Sequence, residues 1–355
     1  MKRCLTYLAI CCAVFFTSVS ARISPAAAQE ATFAGKTINM TIGFAAGGGV
    51  DLYGRTLGRH LVQKLPGDPG IVVQNRPGAG GVVALNERSR RADTDGSSVT
   101  IGALSQTDPD ALNSTNAQFN PATFKMVGGL GAFSQGLFIR TDAVQRLTDK
   151  SAKPVVVGMV GSTMRGATYA ILWGVSFLGW NVTWVPGYPS TGEVRQALER
   201  GEVEMATFGA SRDFDYLFKT GKVTVVAQTG QVQQGKRVKR PVLGDAPIFS
   251  EMVRDKIRDP RARQAFNYWE NVSQVGMWLA LPPGTPDAIV DTYVKAFEAT
   301  KNDPAYRNEY SKIDPDYIVI GKADIERQLA ELAKVTPETM KFIDEEQRRQ
   351  GLAGK

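Results

Sequence analysis

Cysteine and histidine are nearly absent from this chain of 355 residues, which removes several kinds of chemistry at once. Cys4, Cys11 and Cys12 all lie close to the N-terminus, and His60 is the single histidine. Disulfide bridges, zinc–cysteine sites and a cysteine nucleophile are therefore excluded beyond Cys12, as are metal sites built on paired histidines. No G-x-S-x-G motif supplies a serine that could use His60 in a catalytic triad. We therefore expect no enzyme activity, no metal site and no cofactor.

Long hydrophobic runs are missing outside the N-terminus. Lys2 and Arg3 precede an apolar stretch that ends near Val19, and the small residues Ala26–Ala28 follow. This order is typical of a secretory signal peptide, so we predict that residues 1–28 are removed after Ala28 and that the protein is exported from the cytoplasm. No later run reaches the roughly 20 apolar residues that a membrane-spanning helix needs.

Positive charge is in mild excess, at a formal net charge of +7. The one basic run, Lys236-Arg237-Val238-Lys239-Arg240, contains no aromatic residue and lies between turn-like segments. A solvated loop explains this run better than a nucleic-acid contact does. We expect a monomer that does not bind nucleic acid.

Glycine-rich loops recur between strand-like and helix-like segments. Residues 37–44 are rich in β-forming residues, residues 45–49 form a glycine loop, and apolar residues recur at helical spacing over residues 51–65. The same order begins again near residues 71, 154, 182 and 203. Alternating strands and helices favour parallel sheets covered by helices on both faces, with ligands bound beyond the carboxyl ends of the strands.

We predict two α/β lobes with a cleft between them. Residues 126–140 form a long, glycine-broken segment that we interpret as a strand crossing from one lobe to the other. The first lobe would contain residues 29–138 and 250–355, because the C-terminal helices would return to it, and the second lobe would contain residues 139–249.

The first glycine loop, residues 45–49, does not match the familiar phosphate-binding motifs. A Walker A loop would end in Gly-Lys-Ser/Thr, but Gly49 is followed by Val50, and a dinucleotide fingerprint would need a third glycine where Leu52 stands. Consecutive amides at a helix N-terminus can still bind an anion, most simply a carboxylate. A tight turn with close helix packing is the alternative, and it explains one glycine better than three. We interpret Asp51 as the helix N-cap rather than as a catalytic acid.

Six stretches of the chain, taken in order, resemble the Bug/TctC family of periplasmic solute receptors, which serve tripartite tricarboxylate transporters. They are GFAAGGGVDLYGR, VVQNRPGAGG, DTDGSSVTIG, GYPSTGEVRQALERGEVE, GKVTVVAQTG and LALPPGTPDAIV, and they fall within about residues 36 to 320. The resemblance implies a type II periplasmic-binding-protein fold whose two lobes close on a small carboxylate. It also implies a partner, a membrane permease with one large and one small transmembrane subunit.

The resemblance further implies which residues contact the ligand. In the first lobe they are Ala46, Gly47, Gly48, Gly49 and Asp51, with Gly78 and Gly80 in support. In the second lobe they are Gly161, Ser162, Thr163, Met164, Arg165, Tyr188, Thr207 and Phe208. Arg165 could pair with a second carboxylate of the ligand or lie on the surface.

The chain also departs from the family pattern. Many members carry prolines where Ala45 and Ala46 stand, and Arg76 precedes the PGAGG stretch. The stretches DLYGR and GYPSTGEVRQALERGEVE resemble a less studied branch of the family, so the usual preference for dicarboxylates or tricarboxylates does not follow. Four aromatic residues either line a pocket that accepts aromatic acids or pack in the core, namely Tyr53, Phe133, Tyr188 and Phe208. A ligand-sensing partner of a signalling domain and an organic-acid enzyme on the same scaffold are the alternative functions.

Overall fold

The structure is a computed structural model that describes residues 32–91, 93–114, 116–132, 134–160, 164, 166–209, 211–233 and 236–352, without the side chains of Ser114, Ser211 and Arg212. The predicted signal peptide lies outside the described residues. So do five residues named in the sequence analysis, Phe133, Gly161, Ser162, Thr163 and Arg165.

Strands and helices alternate along most of the chain. The strands are β1 Thr37–Ile42, β2 Gly70–Asn75, β3 Ser98–Ala103, β4 Lys125–Gly131, β5 Gly136–Arg140, β6 Val155–Val160, β7 Val182–Tyr188, β8 Met205–Phe208, β9 Val223–Gln228, β10 Gln231–Gln233, β11 Lys236–Val238, β12 Val275–Leu281 and β13 Val319–Gly321. The α-helices are α1 Gly49–Val62, α2 Val82–Arg91, α3 Pro109–Ser114, α4 Thr168–Leu178, α5 Thr191–Arg200, α6 Ser211–Thr220, α7 Phe249–Val253, α8 Pro260–Val272, α9 Asp287–Lys301, α10 Pro304–Tyr310, α11 Lys322–Leu332 and α12 Pro337–Arg349. Short 3₁₀ turns include Ala79–Gly81 and Leu104–Gln106.

The first sheet has the strand order β13-β4-β12-β3-β1-β2. Strand β1 pairs in parallel with β2 and β3, while β12 runs antiparallel between β3 and β4. The carboxyl ends of β1, β2, β3 and β4 therefore meet at one edge of this sheet. The loops that follow β1, β2 and β3 begin there, so this edge is where the glycine loops converge.

The second sheet has the order β7-β6-β8-β5-β9. Strands β6, β7 and β8 are parallel, and β5 runs antiparallel to both β8 and β9. Gly136, at the start of β5, lies opposite Phe208 and Gln228, so the crossing segment (its described residues are 132, 134 and 135) reaches the second sheet at the carboxyl ends of β8 and β9. The prediction of an α/β fold is confirmed. Residues 126–140 do cross between the two sheets, but as two strands, β4 in the first sheet and β5 in the second, and not as one continuous strand.

Each sheet is covered by helices whose apolar residues explain the packing. Helix α4 is almost entirely apolar, and its residues from Tyr169 to Gly174 are all buried, because it is enclosed between β6 and the helices α7, α8 and α12. Helices α1, α9 and α10 cover one face of the first sheet, where Tyr293 and Phe297 are buried.

Helices α8 and α12 pack on the second sheet's core, although β12 and β13, near them in sequence, belong to the first sheet. The predicted boundaries placed residues 250–355, and therefore α8 and α12, in the first lobe. The boundaries stay a proposal, and the packing of α8 and α12 favours assigning these two helices to the second lobe instead.

The basic run of residues 236–240 is not a solvated loop, and that prediction is wrong for its two arginines, Arg237 and Arg240. Residues 236–238 form β11, which pairs with β10 in a small hairpin. Arg240 is fully buried, and the side chain of Arg237 is 14% exposed and paired with Glu270. The guanidinium groups of these two arginines are buried because carboxylates and carbonyl oxygens from distant segments surround them. The local sequence does not show these partners.

We expect Gly102→Ala to lower the free energy of unfolding by about 1–3 kcal/mol, the usual range for overpacking a core. Gly102 lies opposite Trp278 in the β3–β12 pair, and a Cβ atom there would overlap the indole ring. Urea unfolding would measure the change. Gly70→Ala is the matched control, since its Cβ would meet only Thr37 Oγ1 at 3.7 Å, and a similar loss in both variants would contradict the packing argument.

Candidate ligand-binding site

The first glycine loop is exposed and opens helix α1. Gly48 is the N-cap residue and supplies no side-chain cap, and α1 begins at Gly49. Gly47 has a φ of +81°, a conformation that favours glycine, so the turn alone explains this residue. It does not explain the other two, because a Cβ on Gly48 or Gly49 would come no closer than 3.5 Å or 3.8 Å to other atoms. The loop therefore leaves open space beside the first amides of α1, which have no partner within the helix.

Asp51 supports this loop from inside the protein. It is the third residue of α1 rather than the N-cap, so the N-cap prediction is wrong, and only 2% of its surface is exposed. Its carboxylate accepts hydrogen bonds from the Gly47 amide (2.8 Å), from Asn75 Nδ2 (2.8 Å) and from Arg55 Nε (2.9 Å). Burial raises the pKa of Asp51, but these donors outweigh it and hold the pKa below its usual value. Asp51 is thus an ionised support for the loop.

Asn75 joins the first two loops and was missed by the sequence analysis. It ends β2, donates to the Phe44 carbonyl (2.9 Å) as well as to Asp51, and accepts from Arg55 Nη2 (2.8 Å). Asn75 reaches Phe44 and Asp51 because β2 lies beside β1 in the sheet. The only signal in the sequence was its place at the end of an apolar strand and before a glycine loop.

The second glycine loop, residues 76–81, packs against the segment that leads into the first. A Cβ on Gly43, between β1 and the first loop, would come within 2.8 Å of the Gly81 Cα, so the two backbones touch there. Gly78 and Gly80 both have positive φ angles, 149° and 63°. Two side chains that the sequence analysis did not select hold this loop, because Ser105 Oγ donates to the Gly80 carbonyl and Gln106 Nε2 donates to the Gly81 carbonyl, each at 2.8 Å.

Around the second sheet, some of the residues expected to contact the ligand lie in the protein core. Met164 and Phe208 are buried in apolar clusters, and Phe208 packs edge-on against Phe138 at 5.5 Å between ring centroids. Tyr188 ends β7 and is half-buried. Tyr53, in the first sheet's core, is fully buried against Tyr310, so core packing explains it.

Thr207 lies near the end of β8 and is half-buried, with its hydroxyl 3.4 Å from that of Thr168 at the start of α4. Gln135, in the crossing segment, accepts a hydrogen bond from the Ala167 amide (3.1 Å) and lies against Gly209. Thr168 and Gln135 were missed because neither lies in a glycine loop. Together with Thr207 they place two hydroxyls and one amide at the carboxyl edge of the second sheet.

Metal chemistry finds no support among the described residues, which contain no cluster of three metal-ligating side chains. His60 Nε2 lies 2.9 Å from Glu309 Oε2 on the outer side of α1, in agreement with a packing role. Within the same residues, no helix is both long enough and apolar enough to cross a bilayer.

Two curated proteins are similar to this chain. A UPF0065 protein of Bordetella pertussis is 22% identical over 300 residues, which cover 81% of this chain and 84% of that protein. A UPF0065 protein of Cupriavidus necator, from the gbd 5′ region, is 24% identical over 322 residues and covers 87% and 88%. No family model matches the chain.

Solved structures show the same fold. A TctC solute-binding protein from Polaromonas, without ligand, has a TM-score of 0.65 at 21% identity and covers 85% of this chain and 97% of that one. The periplasmic binding protein BugD has a TM-score of 0.52 at 21% identity and covers 90% and 99%. MatC from Rhodopseudomonas palustris, with bound malate, has a TM-score of 0.51 at 21% identity and covers 84% and 97%. The resemblance to the Bug and TctC proteins is confirmed, and the chain has their two-lobed periplasmic-binding-protein fold.

We expect Asp51→Asn to lower the free energy of unfolding at pH 7 by about 1–3 kcal/mol, because the buried Asp51 side chain loses its charge and one of the oxygens that accept hydrogen bonds. Since the folded-state pKa of Asp51 lies below its unfolded value of about 3.9, its stabilisation is complete above that pH and is lost as the pH falls below it. The difference in the free energy of unfolding between the variant and the wild type should therefore become smaller toward pH 3.

Chemical denaturation at several pH values would measure this difference. Asp287→Asn is the control, since Asp287 pairs with Lys125 at the surface and 83% of its side chain is exposed. A difference between Asp51→Asn and wild type that stays constant from pH 7 to pH 3 would contradict the assignment of Asp51 as an ionised support.

Proposed function

We propose that this chain is an extracytoplasmic solute receptor that binds a small carboxylate between its two lobes and delivers it to a tripartite tricarboxylate-type secondary transporter. One observation carries the proposal, the exposed Gly47–Gly49 segment at the N-terminus of α1. Packing requires neither Gly48 nor Gly49, so the open space is kept for something other than the protein itself.

The chemistry of the loop fits a carboxylate. The amides of Gly49 and Val50, in the first turn of α1, are available to an anion, and the helix dipole adds a partial positive charge. The Gly47 amide is already bound by Asp51, so it supports the loop rather than the ligand. Arg55 lies 2.9 Å from Asp51 and offsets its charge, which would otherwise repel an anion.

The second lobe would hold the rest of the ligand. Thr207, Thr168 and Gln135 offer hydroxyl and amide groups at the edge of the second sheet. Residues 161–163, Arg165 and Tyr188 stay in the proposed site on the strength of the resemblance. Met164 and Phe208 contribute through their backbone at most, because their side chains are buried.

The structural relatives support this class of ligand and this location. MatC is described with bound malate and BugD as a periplasmic binding protein, and both share the fold. By the same reasoning we propose export to the periplasm after cleavage at Ala28, a permease of one large and one small membrane subunit as partner, and a non-catalytic, monomeric receptor.

A thermal-shift screen of residues 29–355 against small mono-, di- and tricarboxylates and aromatic acids tests the proposal, with calorimetry on each hit. Ligand at 100 times its dissociation constant should stabilise the protein by about 2.7 kcal/mol. Absence of any shift from folded, ligand-free protein would overturn the carboxylate assignment.

Gly48→Val tests where the carboxylate binds. Gly48 has a φ of −79°, which any residue adopts, so the variant should fold, while its methyl groups would fill the space beside the amides. We expect affinity to fall at least about tenfold, or 1.4 kcal/mol, by calorimetry. Gly70→Val, at the opposite edge of the first sheet, is the control and should bind as wild type does. Unchanged affinity in folded Gly48→Val would contradict the site.

A further inference from the structure

One buried arginine connects both sheets at the crossing between them. Arg240 is fully buried, and its Nη1 donates to the carbonyl oxygens of Ser134 (3.0 Å) and Gly209 (2.6 Å). Its Nη2 and Nε donate to Asp316 Oδ2, at 3.0 Å and 3.3 Å. The ring of Phe214 packs against the guanidinium group at 4.9 Å.

These acceptors come from three different parts of the fold. Ser134 belongs to the crossing segment, and Gly209 directly follows β8, the strand that carries Thr207. Asp316 lies in the loop that leads into β13, an edge strand of the first sheet. A single charge therefore contacts the crossing segment, the proposed binding edge of the second sheet and the loop that leads into the first sheet.

The surroundings of Arg240 are polar, buried and hydrogen-bonded. Gln228 Oε1 accepts from the Arg240 amide (2.7 Å), and Gln228 Nε2 donates to the Ala246 carbonyl (2.9 Å). Ser134 Oγ accepts from the Gly230 amide (3.0 Å). Ser134 and Gln228 are themselves fully buried. Such networks are rigid when satisfied and costly when one member is removed, so they hold one arrangement of the chain.

We propose that Arg240 and Asp316 are positioning residues for ligand binding, a pivot that sets the orientation of the Thr207–Gly209 strand end relative to the first glycine loop. Neither residue needs to contact the ligand. The effect on affinity depends on the proposed receptor function, whereas the effect on the relative orientation of the lobes does not.

Arginine suits this pivot because its planar group offers five donors in a fixed geometry. The Arg240 guanidinium group holds two carbonyl oxygens and one carboxylate, from three segments, at the same time. A lysine ammonium at the same place could not span these acceptors from one plane. The charge of Asp316 keeps the buried guanidinium paired, so removing that charge is the mildest way to loosen the pivot.

Asp316→Asn is the test variant, since it keeps the shape of the side chain and removes its charge. Glu204→Gln is its matched control. Glu204 directly precedes β8, pairs with Arg146 and accepts from the Val156 amide (3.0 Å), at the edge of the second sheet opposite the crossing. Both variants lose a partly buried carboxylate, but only Asp316 links the two sheets.

The distance between the lobes can be measured without a ligand. Residues 29–355 contain no cysteine, so Gln63→Cys on the surface beside α1 and Gln196→Cys on α5 allow two spin labels to be attached selectively. We expect Asp316→Asn to shift or broaden the electron–electron distance distribution and Glu204→Gln to leave it as in wild type. Urea unfolding confirms that each variant is folded. If Asp316→Asn does not fold, Asp316→Glu, one methylene longer, must change the distribution instead.

Calorimetry with a carboxylate found in the screen supplies the second measurement. We expect Asp316→Asn to bind about tenfold more weakly, within the usual range of coupling between distant sites, and Glu204→Gln to bind as wild type does. An unchanged distance distribution together with an affinity within about twofold of wild type would overturn the pivot and leave the receptor function intact. A changed distribution in a protein that binds no carboxylate would instead overturn the receptor function and leave the pivot standing.

Discussion

The buried carboxylate of Asp51 is the group on which the first half of the candidate site depends. It accepts hydrogen bonds from the backbone of Gly47, from Asn75 and from Arg55, so it ties a loop, a strand end and a helix together. Asp51 holds the loop from inside the protein, and packing does not require glycine at Gly48 or at Gly49. The protein thus places a negative charge near the proposed anion site, and the positive charge of Arg55 offsets it.

Part of this arrangement could be predicted from the sequence. The succession of strand, glycine loop and helix is a local pattern, and parallel strands bring such loops to one edge, so the position of the Gly47–Gly49 loop followed directly. The role of Asp51 did not follow, because a residue three places into a helix is a cap or a support according to what lies beneath it. Asn75, Ser105 and Gln106 also act across neighbouring strands, and their partners are known only once the strand order is known.

The basic run shows the same limit more strongly. Five residues with four positive charges are typical of a solvated loop, and nothing local distinguishes Arg240 from Lys239. Arg240 is buried because Ser134, Gly209 and Asp316, far apart in the sequence, converge on it. Helices α8 and α12 are a similar case, since their apolar faces predict burial but not the sheet against which they pack.

The packing of α8 and α12 means that the chain is interleaved between the two sheets. Within the described residues it passes from one to the other after β4, between α8 and β12, and again between α11 and α12. Neither half is a continuous stretch of chain, and a fragment that contains only one sheet would leave apolar surface without its cover. The two lobes therefore form a single folding unit. Any movement between them must leave the segments that connect them in place.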